Sequence, residues 1–148
     1  MKNMIYQYIL KSETPFINEV AYTQDSAISL VKLIWYKLHN EQKILVFENR
    51  PDQVYSDTSP ENAPIPIGEM IRYTYRDGVL TCGFHIYQDK RYQQLREDEN
   101  LIRPIIIGRI DPQTRWITEV SDFIGFYVFI QEKHDVIELS VDWLNLKK

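Results

Sequence analysis

The chain has little cysteine, little glycine and no apolar run long enough to cross a membrane as a helix. Its single cysteine excludes a disulfide within the chain, so the sequence carries no positive sign of an oxidising compartment. The N-terminal MKNMIYQYIL lacks the apolar core and the small-residue cleavage site of a signal peptide. We therefore expect a cytoplasmic protein that does not associate with membranes.

Recognisable catalytic motifs are also missing. The five glycines are scattered and form no phosphate-binding loop, and neither G-x-S-x-G nor H-E-x-x-H occurs. A zinc site needs three or four ligands, and one cysteine with three dispersed histidines does not suggest one. The sequence therefore predicts no catalytic residues, no metal and no cofactor. A pair of catalytic carboxylates assembled only in space stays open, because a single sequence does not show it.

The length and composition predict one folded domain. A chain of 148 residues is about one domain long, and a domain of this size folds without a disulfide or a metal. Hydrophobic residues make up 44% of the chain and charged residues 26%, which is too apolar for a disordered protein. We predict a single domain over residues 1–148.

The first third of the chain predicts strands around one apolar helix. Residues 4–10 and 16–22 are rich in aromatic and β-branched residues and indicate strands. Residues 23–40 indicate a helix that Thr23 or Asp25 caps. This helix is apolar on most of its circumference, so we expect it to be buried on most sides or to contact a partner. A further strand is predicted at 43–49.

Residues 49–68 are predicted to be a loop. Four of the seven prolines fall here, and proline disrupts regular structure because it lacks the N–H group and fixes φ. Loops of this length within a domain tend to be disordered or functional. Two interpretations stay open, a disordered or simply spanning segment and a binding loop, and in the second Tyr55 is a candidate contact.

The remaining chain predicts antiparallel hairpins. The pairs are 70–76 with 79–87 around an Asp-Gly turn, 103–110 with 115–120, and 125–131 with 136–144. A short helix is predicted near 89–97. The expected fold is therefore α+β, with a mostly antiparallel sheet built from hairpins and one buried N-terminal helix packed on one face.

The Asp-Gly turn predicts a register for the first hairpin. A two-residue turn pairs Arg76 with Val79, and the same register ends with Met70 opposite His85. Directly paired residues share a face of the sheet. The predicted core face holds Ile71, Tyr73, Tyr75, Leu80, Cys82, Phe84 and Ile86, and the predicted solvent face holds Met70, Arg72, Thr74, Arg76, Val79, Thr81, His85 and Tyr87.

This register separates the cysteine from its neighbouring histidine. Cys82 and His85 fall on opposite faces, so they do not form a nucleophile–base pair unless Gly83 carries a bulge. We interpret Cys82 as a small hydrophobic core residue. His85 remains a candidate binding residue, because it lies beside Arg72 and Arg76.

Arginine is concentrated in the middle of the chain, with seven of the eight arginines between residues 72 and 115. Ordinary surface salt bridges would explain this, and so would a patch that binds carboxylate or phosphate. The candidate binding residues are Arg72, Thr74, Arg76, His85, Tyr87, Arg91 and Tyr55.

The sequence is compatible with three functions. The ten tyrosines and three tryptophans favour a non-enzymatic protein-binding domain of the inhibitor, immunity-protein or accessory-subunit kind, by analogy of class alone. The alternative is binding of a nucleotide or RNA on the arginine-bearing sheet face. The third is a small enzyme without a recognisable motif. The expected partner is another protein, with a nucleic acid or a second copy of this chain as alternatives.

Overall fold

The computed structural model describes residues 2–15, 21–48, 65–97 and 101–129. Within them, the α+β class predicted from the sequence is confirmed. In chain order the elements are β1 (Met4–Lys11), α1 (Gln24–His39), β2 (Leu45–Phe47), β3 (Pro66–Arg76), β4 (Val79–Ile86), α2 (Asp89–Glu97), β5 (Leu101–Ile110) and β6 (Ile117–Phe129). No helix in these ranges has the length and apolar character needed to cross a membrane.

The six strands form one sheet in the order β1-β4-β3-β2-β6-β5. Neighbouring strands are antiparallel except β2 and β6, which are parallel. The sheet is therefore mixed, and the prediction of hairpins alone needs this correction. In a sequence, only local turns indicate which strands pair. The three-residue strand β2 lies between β3 and β6, which are distant from each other along the chain, so no turn indicates its pairing.

Helix α1 is capped by Thr23, one of the two predicted capping residues. Thr23 has extended backbone angles, and its Oγ1 accepts a hydrogen bond from the Ser26 amide at 3.2 Å. Ser26 Oγ donates to the Ile117 carbonyl oxygen at 2.7 Å, which ties the first turn to the start of β6. Ala27, Leu30 and Ile34 are fully buried. The helix is buried along this one side, whereas Trp35 and Tyr36 are exposed, so the expected burial on most sides is not found.

Strand β6 is bent by three extra residues. In its pairing with β5, the register skips Thr118, Ser121 and Ile124. Each skipped residue is a bulge, and a bulge bends its strand and increases the local twist. The predicted break between strands at 115–120 and 125–131 was wrong, because the polar residues at 121 and 122 lie on the exposed side of one continuous strand.

The sheet curls, and this curvature brings its two edge strands, β1 and β5, together. The Ile102 amide donates to Gln7 Oε1 at 2.7 Å, and Arg103 Nη1 donates to the Ile9 carbonyl oxygen at 2.6 Å. These two bonds join β5 to β1, which stand at opposite ends of the strand order. The buried residues of the sheet and of α1 form one hydrophobic core within this curl.

The β3–β4 hairpin confirms the predicted turn. Asp77 and Gly78 both have positive φ, at 53° and 79°, as a type I′ turn requires. The predicted register holds from the turn as far as Arg72 opposite Gly83. Beyond that point an extra residue, Ile71, shifts the pairing by one.

This bulge overturns two predicted pairs. Met70 pairs with Phe84, and Glu69 pairs with His85. Met70 was predicted on the solvent face and is instead buried in the core, with 3% of its surface exposed. The predicted core position of Cys82 is confirmed, since the bulge lies beyond it and its side chain is fully buried.

Other predicted boundaries need smaller corrections. The predicted loop at 49–68 ends earlier, because β3 begins at Pro66. The short helix near 89–97 is confirmed as α2, which buries Leu95. Of the predicted strand at 16–22, Tyr22 forms a single parallel bridge with Ile117. Residues 16–20, 49–64 and 130–148 lie outside the described residues, and with them the final predicted strand.

Candidate functional site

Strands β1, β4 and β3 place twelve residues on one side of the sheet, which we call the outer face. The pairing registers align these residues in rows across the three strands. From one end to the other, the rows are Met4–His85–Glu69, Tyr6–Gly83–Arg72, Tyr8–Thr81–Thr74 and Lys11–Val79–Arg76. Paired residues point to the same side, so the opposite side carries buried residues such as Leu10, Cys82 and Phe84.

The outer face has two chemically different margins. Strand β1 carries Tyr6 and Tyr8, which are 56% and 43% exposed and which we call the aromatic column. Strand β3 carries Arg72 and Arg76, which are both exposed and which we call the arginine column. Strand β4 lies between them with small side chains, and the two columns are about 10 Å apart, twice the usual strand spacing.

The absence of a side chain at Gly83 explains the position of the Tyr6 ring. A Cβ atom on Gly83 would lie 2.7 Å from Tyr6 Cε1 and 3.2 Å from Arg72 Cγ. The tyrosine ring therefore lies directly on the bare backbone of β4 and next to the stem of the arginine. This packing gives Tyr6 a structural role, and it also holds an exposed ring beside a guanidinium group.

His85 and Tyr87 continue the outer face at its far end. Their rings meet edge to face, with centroids 5.7 Å apart. His85 Nδ1 lies 3.1 Å from the Lys2 carbonyl oxygen, so the start of the chain holds the imidazole in place. Burial raises the pKa of Tyr87, and the nearby Glu69 carboxylate adds to this rise. The phenol is therefore a neutral hydrogen-bonding group at ordinary pH.

One of the predicted binding residues, Arg91, does not lie on the outer face. Arg91 lies on α2, and its Nη2 makes an ion pair with Glu48 Oε1 at 2.9 Å. Its Nη1 also donates to Gln94 Oε1 at 3.4 Å. Arg91 thus ties α2 to the end of β2. Tyr55 lies outside the described residues.

The five other candidates, Arg72, Thr74, Arg76, His85 and Tyr87, come together on one surface. Sequence reasoning missed Tyr6 and Tyr8, although their alternation in MIYQYIL placed both rings on one side of a strand. The missing information was the pairing of β1 with β4, which joins residues about eighty positions apart and leaves no local turn signal.

The interior carries polar groups of a different kind. Burial raises the pKa of the Cys82 thiol to about 12, against a smaller lowering effect from Arg103. Burial likewise raises the pKa of Tyr22 to about 12 and lowers the pKa of Arg103. The thiol therefore stays protonated and is not a nucleophile at neutral pH. Among the described residues, no three His, Cys, Asp or Glu side chains group as metal ligands.

Comparison of this chain with protein-family models, curated proteins and solved structures gave no match.

Proposed function

We propose that this chain is a non-enzymatic binding protein of the cytoplasm and that another protein binds its outer face. The observation that carries the proposal is the exposure of Tyr6 and Tyr8 on the same surface as Arg72 and Arg76. Tyrosine and arginine are enriched in protein interfaces and among the residues that dominate binding energy. An inhibitor, an immunity protein or an accessory subunit would use such a surface.

The packing of the core supports an uncovered outer face. Ala27, Leu30 and Ile34 of α1 belong to the same core cluster as Leu80 and Phe84 of β4, which point away from the outer face. We infer that α1 packs on the inner side of the curled sheet. That arrangement leaves the aromatic and arginine columns open to a partner.

A nucleotide or RNA is the second candidate partner. Arg72 and Arg76 favour it, since guanidinium groups bind phosphate, and exposed tyrosines beside them would stack bases. The overall charge disfavours it. The chain has a net charge of −4 and a pI of about 5.4, whereas nucleic-acid-binding domains are typically basic.

The test is affinity purification from the native host with matched variants. Tyr6→Ala/Tyr8→Ala removes the aromatic column. Trp35→Ala/Tyr36→Ala removes two aromatic residues of α1 that are similarly exposed, at 52% and 57%. We expect wild type and the α1 variant to retain one co-purifying protein and the aromatic-column variant to lose it.

Two results would contradict this proposal. One is retention of the same partner by the aromatic-column variant and its loss from the α1 variant. The other is recovery of a nuclease-sensitive nucleic acid in place of a protein. Far-ultraviolet circular dichroism of each variant confirms that the fold is intact.

A further inference from the structure

We infer that the partner contacts the outer face through an extended acidic peptide segment, which lies along β4 between the aromatic and arginine columns. This inference rests on the proposed function and names the chemistry of the partner. The segment presents two carboxylates, four residues apart, to Arg72 and Arg76. Its apolar side chains point the other way, to Tyr6 and Tyr8.

The two guanidinium groups of the arginine column are available to bind carboxylates. Three basic side chains elsewhere in the described chain form ion pairs, namely Lys2 with Asp89, Arg91 with Glu48 and Arg109 with Glu119, whereas others such as Lys32 and Lys90 form none. Among the described residues, Arg72 and Arg76 have no ion pair and no hydrogen-bonded side-chain partner.

The outer face is also positive on an otherwise negative chain. It carries Lys11, Arg72 and Arg76 against the single carboxylate of Glu69, whereas the whole chain has a net charge of −4. A carboxylate-bearing partner complements this local charge.

The spacing supports an extended peptide. Arg72 and Arg76 are four residues apart on one strand and project from the same face, about 13 Å apart. Residues four apart in an extended peptide span the same distance and also point to one side, whereas residues three apart point to opposite sides. A peptide whose acidic residues alternate with apolar ones would meet both columns at once.

The charge distribution favours a protein segment over a nucleic acid. A polyanion with many charges meets the net negative charge of the whole chain at long range. A peptide with two carboxylates needs only the two local arginine contacts. Charge-assisted bonds between guanidinium and carboxylate are among the stronger hydrogen bonds in proteins.

The first experiment is an NMR titration of the full ¹⁵N-labelled chain with defined probes. Two synthetic peptides share one composition, and they contain Glu-Leu-Thr-Leu-Glu or Glu-Leu-Thr-Glu-Leu between Ser-Thr flanks. A short oligouridylate is the third probe. We expect the first peptide to shift the amide signals of Thr74, Thr81 and Gly83 and to bind about fivefold tighter than the second.

The second experiment reverses charge. Arg72→Glu/Arg76→Glu and the control Lys32→Glu/Lys90→Glu change the net charge by the same amount, and all four side chains are exposed. We expect the arginine variant to bind the first peptide at least about tenfold more weakly, and the control to stay within about twofold of wild type. Amide spectra of both variants confirm that they are folded.

Several results would overturn the inference. They are the absence of outer-face shifts at millimolar peptide, equal binding of both peptides, and tighter binding of oligouridylate than of the first peptide. The host partner separates this inference from the proposed function. A partner that still binds Arg72→Glu/Arg76→Glu but is lost from Tyr6→Ala/Tyr8→Ala would keep the proposed function and reject the acidic segment.

Discussion

Gly83 is the residue that determines the local shape of the outer face, because its lack of a Cβ lets the Tyr6 ring lie on the β4 backbone. We predict that the Hα protons of Gly83 are shifted upfield by the ring current. Tyr6→Ala should remove the shift, and Gly83→Ala should push the ring away because its new Cβ needs the same space. Proton NMR measures both effects. An unshifted Gly83 Hα in wild type would contradict this packing.

The buried thiol and phenol predict a loss of stability at alkaline pH. In the unfolded chain Cys82 and Tyr22 lose their protons near their ordinary pKa values of 9.0 and 10.0, whereas in the folded chain burial holds both pKa values at about 12. Between these values the unfolded state binds fewer protons, so the free energy of unfolding falls as pH rises from 9 to 12. Below pH 9 this contribution is fully present.

Urea unfolding at a series of pH values checks this prediction. Cys82→Val keeps a buried apolar side chain of similar size and removes the titrating thiol, so its free energy of unfolding should fall less steeply above pH 9. Tyr22→Phe serves as the matching variant for the phenol. Equal pH dependence in wild type and both variants would show that neither group is buried in the folded protein.

At the residue scale, the alternation of side chains along a strand predicted several side-chain orientations. Bulges limited this prediction, because each bulge changes the alternation. The opposite orientations of Cys82 and His85 followed from their odd separation within a hairpin of known turn type. The burial of Met70 did not follow, because the extra residue Ile71 reverses the orientation of everything beyond it. A bulge within a strand of mixed apolar and polar residues is not marked by turn-forming residues, so the sequence does not reveal it.

At the scale of elements, strand β6 shows how bulges shape the sheet. Three skipped residues bend it around the core, and Gly108 of β5 lies opposite this bent region, where a Cβ would meet the Glu119 carbonyl oxygen. We predict that Gly108→Ala destabilises the fold by about 2 kcal/mol or more, because backbone has to move. Urea unfolding measures this cost.

The control for Gly108 comes from the neighbouring strand. Thr118→Ala changes an exposed residue of β6 and should cost no more than about 0.5 kcal/mol. Equal effects of the two substitutions would mean that β5 and β6 do not approach as closely as described. The sequence predicted two strands in place of β6, because Ser121 and Asp122 are typical of a turn and also tolerated at exposed bulges.

At the scale of the whole molecule, the curled sheet is joined across its edges by side chains. The Gln7 side chain accepts the Ile102 amide hydrogen, so Gln7→Ala should cost about 1 kcal/mol and speed hydrogen exchange at Ile102. The amide of Ile107, in the same strand, should keep its exchange rate. Unchanged exchange at Ile102 would contradict the contact between β1 and β5.

The global arrangement was the part that the sequence did not predict. Helix α1 and the β3–β4 hairpin follow from caps, periodicity and a two-residue turn, which are all local signals. The pairings of β1 with β4 and of β2 with β6 join distant segments. The outer face depends on the first of these pairings, so its arginine column was visible in the sequence and its aromatic column was not.

The most direct test of the central claim is site-specific photo-crosslinking in the native host. A photoreactive benzoyl-phenylalanine replaces Tyr8 on the outer face, or Tyr36 on α1 as the control, since both tyrosines are exposed. If the outer face binds a protein partner, the residue at position 8 forms a crosslink to that protein and the residue at position 36 does not. A protein crosslinked from position 36 and none from position 8 would contradict the claim.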